Sequence, residues 1–298
     1  MTNHLLCIGM GYSARALARR LSAAGWRIAG SSTSEAGALR VQAEGWDAVR
    51  FDGTSNGGEP MHQAISNATH LVVSAAPGES GDPVLRQLAS ALTRAPDLAW
   101  IGYLSTVGVY GDHQGAWVDE ATHVRPTSVR SRQRVEAENA WLDFANSSGR
   151  RVQIFRLSGI YGPGRSAIDN LRAGTARRII KPGQVFNRIH VDDIAGALAA
   201  AMAKPGAQHT IYNVTDDEPA PPQEVVEYAA KLLGLPVPPD IAFAEAPLSP
   251  MGLSFYGENK RVANQRIRSD LGYALRYPTY REGMSAIAAA LRPGALRE

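Results

Sequence analysis

Three small residues near the start of the chain are spaced as a phosphate-binding turn requires. In the stretch CIGMGYSARALARRL, a short apolar run is followed by Gly9, Gly11 and Ala14 and then by a helical pattern beginning at Tyr12 and Ser13. In a G-x-G-x-x-A turn, the first glycine allows the tight turn, the second lets the backbone approach a pyrophosphate, and the alanine lets helix and strand pack closely. The helix N-terminus adds unpaired N–H groups and its dipole. The spacing predicts a dinucleotide-binding loop; the alternative is a tight turn without a ligand.

The end of the second apolar run indicates which dinucleotide would bind. Sheets that bind NAD place an acidic residue about 20 positions beyond the glycines, where it holds the ribose 2′-hydroxyl. This chain has Ser31, Ser32 and Thr33 there and no carboxylate. Hydroxyl groups can donate to a 2′-phosphate and nothing would repel it, so NADP(H) is favoured over NAD(H). Arg40 is only a loose candidate for a cation beside that phosphate.

The elements that must position these residues follow an alternating pattern. Short apolar runs predict strands, with helical patterns between them, as in a parallel sheet with crossover helices. The predicted strands are 4–9, 26–30, 47–51, 70–75, 100–105, 152–157 and 209–214, and helical patterns include 13–24, 83–95 and 128–146. The fold class is therefore α/β, a Rossmann-type doubly wound parallel sheet with a smaller C-terminal substrate lobe. Proline-rich breaks place the dinucleotide-binding domain at 1–157 plus 189–217 and the lobe at 158–188 plus 218–298.

Composition excludes several other classes of protein. The 298 residues are 44% hydrophobic and 20% charged, with a net charge of +3, which is ordinary for a globular protein. No apolar run reaches the ~20 residues of a membrane helix, and the small basic excess accompanies no nucleic-acid motif. The single cysteine, Cys7, lies in an apolar run and cannot form an internal disulfide. These features predict a cytoplasmic protein that binds neither membrane nor nucleic acid.

Several segments, in the right order and spacing, resemble the extended short-chain dehydrogenase/reductase family, also called the NAD-dependent epimerase/dehydratase family. The similar segments are IGMGYSA, FDG, VVSAAP, LSTVGVYG, FRLSGIYGPGR, IHVDDIAGAL, YNVTDDEP and GENKRVANQRI. The resemblance implies that Asp52 approaches the adenine and that Ala75 and Ala76 line the cofactor path. It also implies that Ser105 or Thr106 holds the substrate oxygen. The nicotinamide would then lie near Leu157–Tyr161.

The chain departs from this family at the catalytic pair. The family spaces a proline, a tyrosine, a lysine and a glutamate four residues apart, and Pro126 and Glu138 match the two ends. Between them stand Arg130 and Arg134, so Y-x-x-x-K has become R-x-x-x-R. Arg130 cannot release a proton at any useful pH and cannot be the general base. The acidic pair of the family's sugar dehydratases is also absent, because Val107 and Gly108 follow the serine and threonine.

Other residues could act as the acid or base in place of the missing tyrosine. Tyr110 is one candidate proton donor, and His113 another, although an exposed loop is the simpler interpretation of that histidine. Arg130 and Arg134, one helical turn apart, would share a face and favour an anionic ligand; the alternative is a solvated basic face. Arg188 and Tyr161 are the expected substrate contacts. His190 is expected to help start the helix that follows it, with Asp192 or Asp193 as the cap, and no metal site is expected.

Three functions remain open at this point. The first is an NADP(H)-dependent oxidoreductase or epimerase-like enzyme on a small anionic substrate. The second is a catalytically silent NADP(H)-binding sensor or regulator, and the third, resting on the basic charge alone, is a structural or nucleic-acid-associated protein. A homodimer is also predicted, through the helices at 83–95 and 128–146, with Trp141, Leu142 and Ala145 as an apolar patch.

Overall fold

A computed structural model describes residues 3–204 and 210–291 of the chain. The elements are numbered in chain order. The strands are β1 (His4–Ile8), β2 (Arg27–Ser32), β3 (Asp47–Arg50), β4 (His70–Val73), β5 (Trp100–Thr106), β6 (Trp117–Val118), β7 (Val152–Leu157), β8 (Gly159–Tyr161), β9 (Arg178–Ile180), β10 (Arg188–His190), β11 (Ile211–Val214), β12 (Asp240–Ala242) and β13 (Arg261–Val262). The helices are α1 (Tyr12–Ala23), α2 (Glu35–Gln42), α3 (Gly58–Asn67), α4 (Pro83–Arg94), α5 (Val129–Ser148), α6 (Ala167–Arg172), α7 (Val191–Ala203), α8 (Pro222–Leu233), α9 (Pro250–Tyr256), α10 (Gln265–Ser269) and α11 (Tyr280–Ala290).

The central sheet has seven parallel strands in the order β11-β7-β5-β4-β1-β2-β3. Each of the seven predicted strands forms a member of this sheet, although position 209, predicted to begin the last one, lies outside the described residues. The strands are apolar on both faces because helices cover both sides, as a parallel sheet requires. The fold class is confirmed.

Two apolar cores lie on opposite faces of the sheet. One packs α1 and α7 against it, with Leu17 and Leu198 fully buried. The other packs α3, α4 and α5, with Met61, Leu88 and Trp141 fully buried. The protein therefore has three layers, the sheet and one layer of helices on each of its faces, and the carboxyl ends of the strands meet at one edge.

The strand order reverses between β1 and β4, which is where open α/β sheets bind their ligands. In register, Cys7 of β1 lies opposite Gly30 of β2 on one side and Val72 of β4 on the other. The predicted phosphate loop begins two residues later, at Gly9. Topology thus places the loop in the crevice where a dinucleotide would cross the sheet.

A smaller lobe packs beside this edge. Its own core joins α6, α8 and α11 through residues such as Ile168, Ala229 and Met284. The predicted division of the chain differs in one segment: Ile267, Leu271 and Leu275, assigned to the lobe, are buried in the large core instead. This segment packs beside β11, and the proline-rich segments before it give no sequence signal of that contact.

The predicted dimer patch is wrong in its largest member. Trp141 is fully buried in the core, where its ring packs 5.9 Å from that of Tyr103 and 5.7 Å from that of Phe144, centroid to centroid. Leu142 and Ala145 are only partly exposed against the same core. A homodimer through α4 and α5 stays a prediction. Within residues 3–204 and 210–291, no helix is long and apolar enough to cross a membrane.

Candidate functional site

A cavity of about 1080 Å³ lies between the carboxyl edge of the sheet and the smaller lobe. Several predicted site residues line it together: Ser13, Ala76, Ser105, Thr106, Arg130, Arg134, Leu157, Tyr161 and Arg188. Tyr110 and the residues predicted at the end of β2 do not. The cavity runs from the start of α1 to α11, so it joins the predicted cofactor crevice to the predicted substrate lobe.

The start of α1 has the features of an anion site. Gly11 caps the helix without any side-chain hydrogen bond, whereas Asp82 and Ser128 accept N–H bonds at the starts of α4 and α5. The first N–H groups of α1 therefore remain available to a phosphate, aided by the helix dipole. A Cβ on Gly11 would lie in the open space where a pyrophosphate would approach, its nearest neighbour being Ser74 Oγ at 3.8 Å.

Tyr12 joins the phosphate loop to the smaller lobe. Its hydroxyl donates to the Pro163 carbonyl at 2.9 Å, and the Arg165 guanidinium lies 5.9 Å from its ring centroid. Gly162 makes this contact possible, because a Cβ there would stand 2.5 Å from the Tyr12 hydroxyl. Tyr12 therefore fixes the lobe over the loop, and Arg165 reaches the cavity from the same segment.

At the end of β2, one predicted contact to the cofactor is wrong. Ser31 is buried, and its Oγ accepts a hydrogen bond from Gly9 N at 2.9 Å, so it stabilises the loop rather than meeting a 2′-phosphate. Ser32 is half-buried and Thr33 exposed, and both remain available. Sequence reasoning missed Arg50, an exposed cation that lies opposite Ser32 in the β2–β3 register. The pairing of β2 with β3 was the signal that could have found it.

Asp52 is exposed just beyond β3, where the resemblance places it near the adenine. Its carboxylate accepts two hydrogen bonds from Thr54, from the hydroxyl at 2.7 Å and the backbone N–H at 2.9 Å. These bonds lower the pKa of Asp52 below its ordinary value. The adenine contact itself stays a prediction.

Arg130 and Arg134 both reach the cavity from the first turns of α5, as the shared-face argument predicts. Arg134 Nη1 donates to the Tyr103 hydroxyl and to the Leu104 carbonyl, both at 2.9 Å, and its guanidinium lies 5.6 Å from the Tyr103 ring centroid. Arg130 is exposed, and within the described residues no hydrogen bond or ion pair involves its side chain. Arg134 thus holds α5 against β5, while Arg130 is free to meet a ligand.

Ser105 is less available than predicted. Its hydroxyl donates to Glu138 Oε1 at 2.5 Å, so it can accept but not donate a hydrogen bond at the cavity. Glu138 is itself paired with buried Arg156, whose Nη2 lies 2.7 Å from Oε2. Thr106 accepts from Gly108 N at 3.1 Å and keeps its own proton. Of these two hydroxyls lining the cavity, only that of Thr106 therefore keeps a proton it can donate into the cavity.

Tyr110 is contradicted as the displaced proton donor. It is fully buried, its hydroxyl donates to Asn213 Oδ1 at 2.8 Å, and it accepts from Arg156 Nη1 at 3.0 Å. Burial raises its pKa despite the neighbouring Arg156. His113 also lies outside the cavity, with Nε2 3.1 Å from the Tyr110 carbonyl oxygen. Both residues pack the loop after β5.

The lobe side of the cavity contains groups that sequence reasoning did not select. Tyr256, Glu258 and Lys260 line the wall, and Lys260 Nζ donates to Glu258 Oε2 at 2.6 Å and to the Gly111 carbonyl at 2.7 Å. In the sequence, the segment GENKR carries only a family resemblance, and its place at the cavity depends on β13 pairing with β6. Tyr161 lines the same wall, and burial raises its pKa, so its phenol keeps its proton.

His190, not an aspartate, caps α7. Its Nδ1 accepts from Asp192 N at 3.2 Å, while Asp193 accepts from Tyr273, Arg276 and Tyr277. The helix begins directly after His190, as expected, but its cap is His190 and not Asp192 or Asp193. Among the described residues, no cluster of three or more His, Cys, Asp or Glu side chains could hold a metal ion.

Comparisons with known proteins agree with this architecture. The sequence profile described as NAD dependent epimerase/dehydratase family matches residues 8–215. "Protein YeeZ" of Escherichia coli (strain K12) is 32% identical over 282 residues, covering 91% of this chain and 95% of that protein. A "3-diazoavenalumate denitrifying reductase" of Streptomyces sp is 28% identical, covering 79% of this chain and 70% of that protein. The solved structure of a functionally unknown conserved protein from Silicibacter pomeroyi DSS is 49% identical with a TM-score of 0.87, covering 98% of this chain and 100% of that one.

Proposed function

The chain belongs to the NAD dependent epimerase/dehydratase family, and we propose that it is an NADP(H)-dependent oxidoreductase or epimerase-like enzyme on a small anionic substrate. The observation that carries the proposal is the continuous cavity of about 1080 Å³, which reaches from Ser13 at the start of α1 to Arg188 and Met284 in the lobe. A sensor would need room only for its nucleotide. This cavity extends beyond the predicted path of the dinucleotide, and that favours a second ligand.

The residues of the cavity suggest their own tasks. The free N–H groups of α1 and the space at Gly11 suit a pyrophosphate, so the loop fits a nicotinamide dinucleotide, which supplies or accepts the hydride when bound. Arg130 and Arg134 would orient the substrate and stabilise negative charge that develops on its oxygen. Thr106 would donate to that oxygen. The proton would come from a group other than Arg130.

The position of Arg130 supports a role in binding an anion. The first turn of α5 has no acidic residue, and a cation beside a helix N-terminus is disfavoured by the dipole by about 0.3–1 kcal/mol. An exposed arginine there has no structural benefit that the described contacts reveal. A bound anion would turn this unfavourable placement into a favourable one.

Replacing Arg130 with glutamine tests the proposal. We expect substrate-dependent NADPH oxidation, screened with small keto acids and phosphorylated carbonyl compounds, and a fall in kcat/KM of roughly tenfold or more in R130Q. The NADPH Kd should stay within about twofold of wild type. The matched control is R132Q on the same turn, because Arg132 donates to the Thr127 carbonyl at 3.0 Å and does not line the cavity. NADPH binding with no turnover of any compound would instead favour the sensor or regulator.

The proposed preference for NADP(H) rests on the residues at the end of β2. Ser32 is the last residue of that strand, and Arg50 lies beside it in register, so this edge offers hydroxyls and a cation instead of a carboxylate. In S32D we expect NADPH to bind about 10- to 100-fold more weakly, because the carboxylate would repel the 2′-phosphate, and NADH to bind more tightly. S34A is the control. Ser34 Oγ caps α2 by accepting a hydrogen bond from Gly37 N at 3.2 Å, so its removal should not change the preference between the two nucleotides. Equal loss of both nucleotides in S32D would contradict this assignment.

A further inference from the structure

Arg188 is placed differently from the other arginines of the cavity. It lies in β10, deep between the sheet edge and the lobe, and lines the cavity. Its Nη1 donates to the carbonyls of Phe186 at 2.9 Å and Ala220 at 3.0 Å. These two bonds fix the guanidinium plane. The opposite edge, formed by Nε and Nη2, has no hydrogen-bond partner among the described residues and is left for a ligand.

The charge of Arg188 has no counter-ion in contact. No carboxylate of the described chain lies within 4.0 Å of it, in contrast to the buried Arg156, which Glu138 neutralises. The acid that acts on it most strongly is Asp216, which lies beyond ion-pair distance and whose pKa burial raises well above its ordinary value. Arg188 is half-buried, and a cation partly withdrawn from water is costly unless it is paired. The missing partner is therefore expected to come with the substrate.

The free edge favours a particular anion. Nε and Nη2 form the fork that binds the two oxygens of a carboxylate in one plane. A single guanidinium balances one negative charge, and the nearby Lys260 is already neutralised by Glu258. Tyr256 adds a hydroxyl near Arg188 that is also without a hydrogen-bond partner among the described residues. A monocarboxylate matches this set better than a doubly charged phosphate.

The walls around Arg188 are apolar. Val225 of α8 and Met284 of α11 line the inner side, and α9 contributes Met251 and Phe255. The two α9 side chains are 48% and 62% exposed and, four residues apart, share one face of the helix at the cavity wall. Contiguous exposed apolar surface of this kind marks binding sites. The apolar surface adjoins the cation, so a carboxylate at Arg188 would carry its hydrocarbon body along α9.

We propose that the substrate is a monocarboxylic acid with an apolar body, held by a two-point contact of its carboxylate with Arg188 and covered by Met251 and Phe255. This inference rests on the proposed function, because it names the substrate class of the same cavity. It places the substrate's anion at Arg188, away from Arg130 and Arg134, which are left for the reacting end. Specificity would then depend on the smaller lobe rather than on the sheet.

The test measures equilibrium binding of paired ligands by calorimetry, with and without saturating NADPH. The ligands are hexanoate, 3-phenylpropanoate and 4-phenylbutanoate, each compared with its primary amide, and hexyl phosphate is compared with hexanoate. In wild type we expect at least one acid to bind about tenfold or more tightly than its amide, and hexanoate to bind more tightly than hexyl phosphate. In R188Q the acid-to-amide ratio should fall below about twofold, while the NADPH Kd stays unchanged.

Two further variants serve as controls for this test. R188K keeps the charge without the fork and should lose at least about threefold of the acid affinity, which covers the case in which R188Q does not fold. R132Q is the matched control and should keep the ratio, because Arg132 donates to the Thr127 carbonyl and does not line the cavity. Equal binding of all acids and amides to wild type, an unchanged ratio in R188Q, or a preference for hexyl phosphate would overturn the inference. Failure of NADPH to bind, with the acid preference intact, would count against the proposed function alone.

Discussion

Replacing Gly11 with valine is expected to lower the affinity for NADPH at least about 100-fold, which corresponds to about 2.7 kcal/mol. The reason is steric, because the side chain would fill the space in which the backbone of α1 meets a pyrophosphate. The fold should not suffer. Gly11 has an extended backbone with φ of −84°, which any residue adopts, and the nearest atom to an added Cβ is 3.8 Å away. Calorimetric titration gives the affinity, and a thermal melt shows that Tm is unchanged.

Gly9 provides the contrast that makes this result specific. Its φ of +91° lies in the left-handed region, and an added Cβ would stand 3.0 Å from Ala75 N and 3.1 Å from Ser74 C. G9A is therefore expected to destabilise the protein by about 1–3 kcal/mol. If G11V instead lowered Tm as much as G9A and kept its NADPH affinity, the two glycines would be parts of a structural turn without a ligand.

Replacing Glu138 with alanine is expected to lower the free energy of unfolding by about 3–5 kcal/mol. The carboxylate accepts from Arg156 Nε at 3.1 and 3.2 Å and from Nη2 at 2.7 Å, with both side chains buried. Its removal leaves the Arg156 charge without a counter-ion and Ser105 without its acceptor. Urea unfolding followed by circular dichroism measures the change.

The matched variants separate the charge from the packing. The double replacement E138L/R156M removes both charges and should recover most of the loss, because a buried pair is often replaced by apolar residues at little cost. D47A breaks the exposed pair of Asp47 with Arg27 and should have little effect on stability. An E138A protein as stable as wild type would mean that Arg156 contacts solvent or another partner. The Glu138–Arg156 pair would then not be needed for stability.

The sheet and the phosphate loop could be predicted because their signals are local. Each strand is a short apolar run with punctuation on both sides, and the glycines stand directly between a strand and a helix. The position of Arg130 and Arg134 on one wall also followed from helical spacing alone. These features depend on residues within a few positions of one another.

The fate of individual polar groups could not be predicted in the same way. In the sequence, Ser31 and Ser105 cannot be distinguished from neighbouring hydroxyl residues. In the structure, Ser31 Oγ accepts a hydrogen bond from Gly9 N, and Ser105 Oγ donates one to Glu138. Lys260 reaches the Gly111 carbonyl across 149 positions of chain, through the pairing of β13 with β6. Such contacts arise from tertiary packing, and a motif can at most indicate that a segment matters.

The positions of Arg130 and Arg134 indicate what the chain has where the family has tyrosine and lysine. Arg134 has a structural task at Tyr103 and Leu104, while Arg130 points into the cavity without a partner in the described chain. The substitution has therefore not simply emptied the site. Under the proposed function, one fixed and one free cation would stand in place of a proton-transfer pair, an arrangement that suits the binding and polarisation of an anionic substrate.

The most direct measurement is a calorimetric titration of the wild-type protein with NADPH and, separately, with NADH. We expect NADPH to bind in the low-micromolar range, roughly −8 kcal/mol, and more tightly than NADH. If neither nucleotide bound, the free N–H groups of α1 and the space at Gly11 would not be a cofactor site, and the enzyme proposed here would be contradicted.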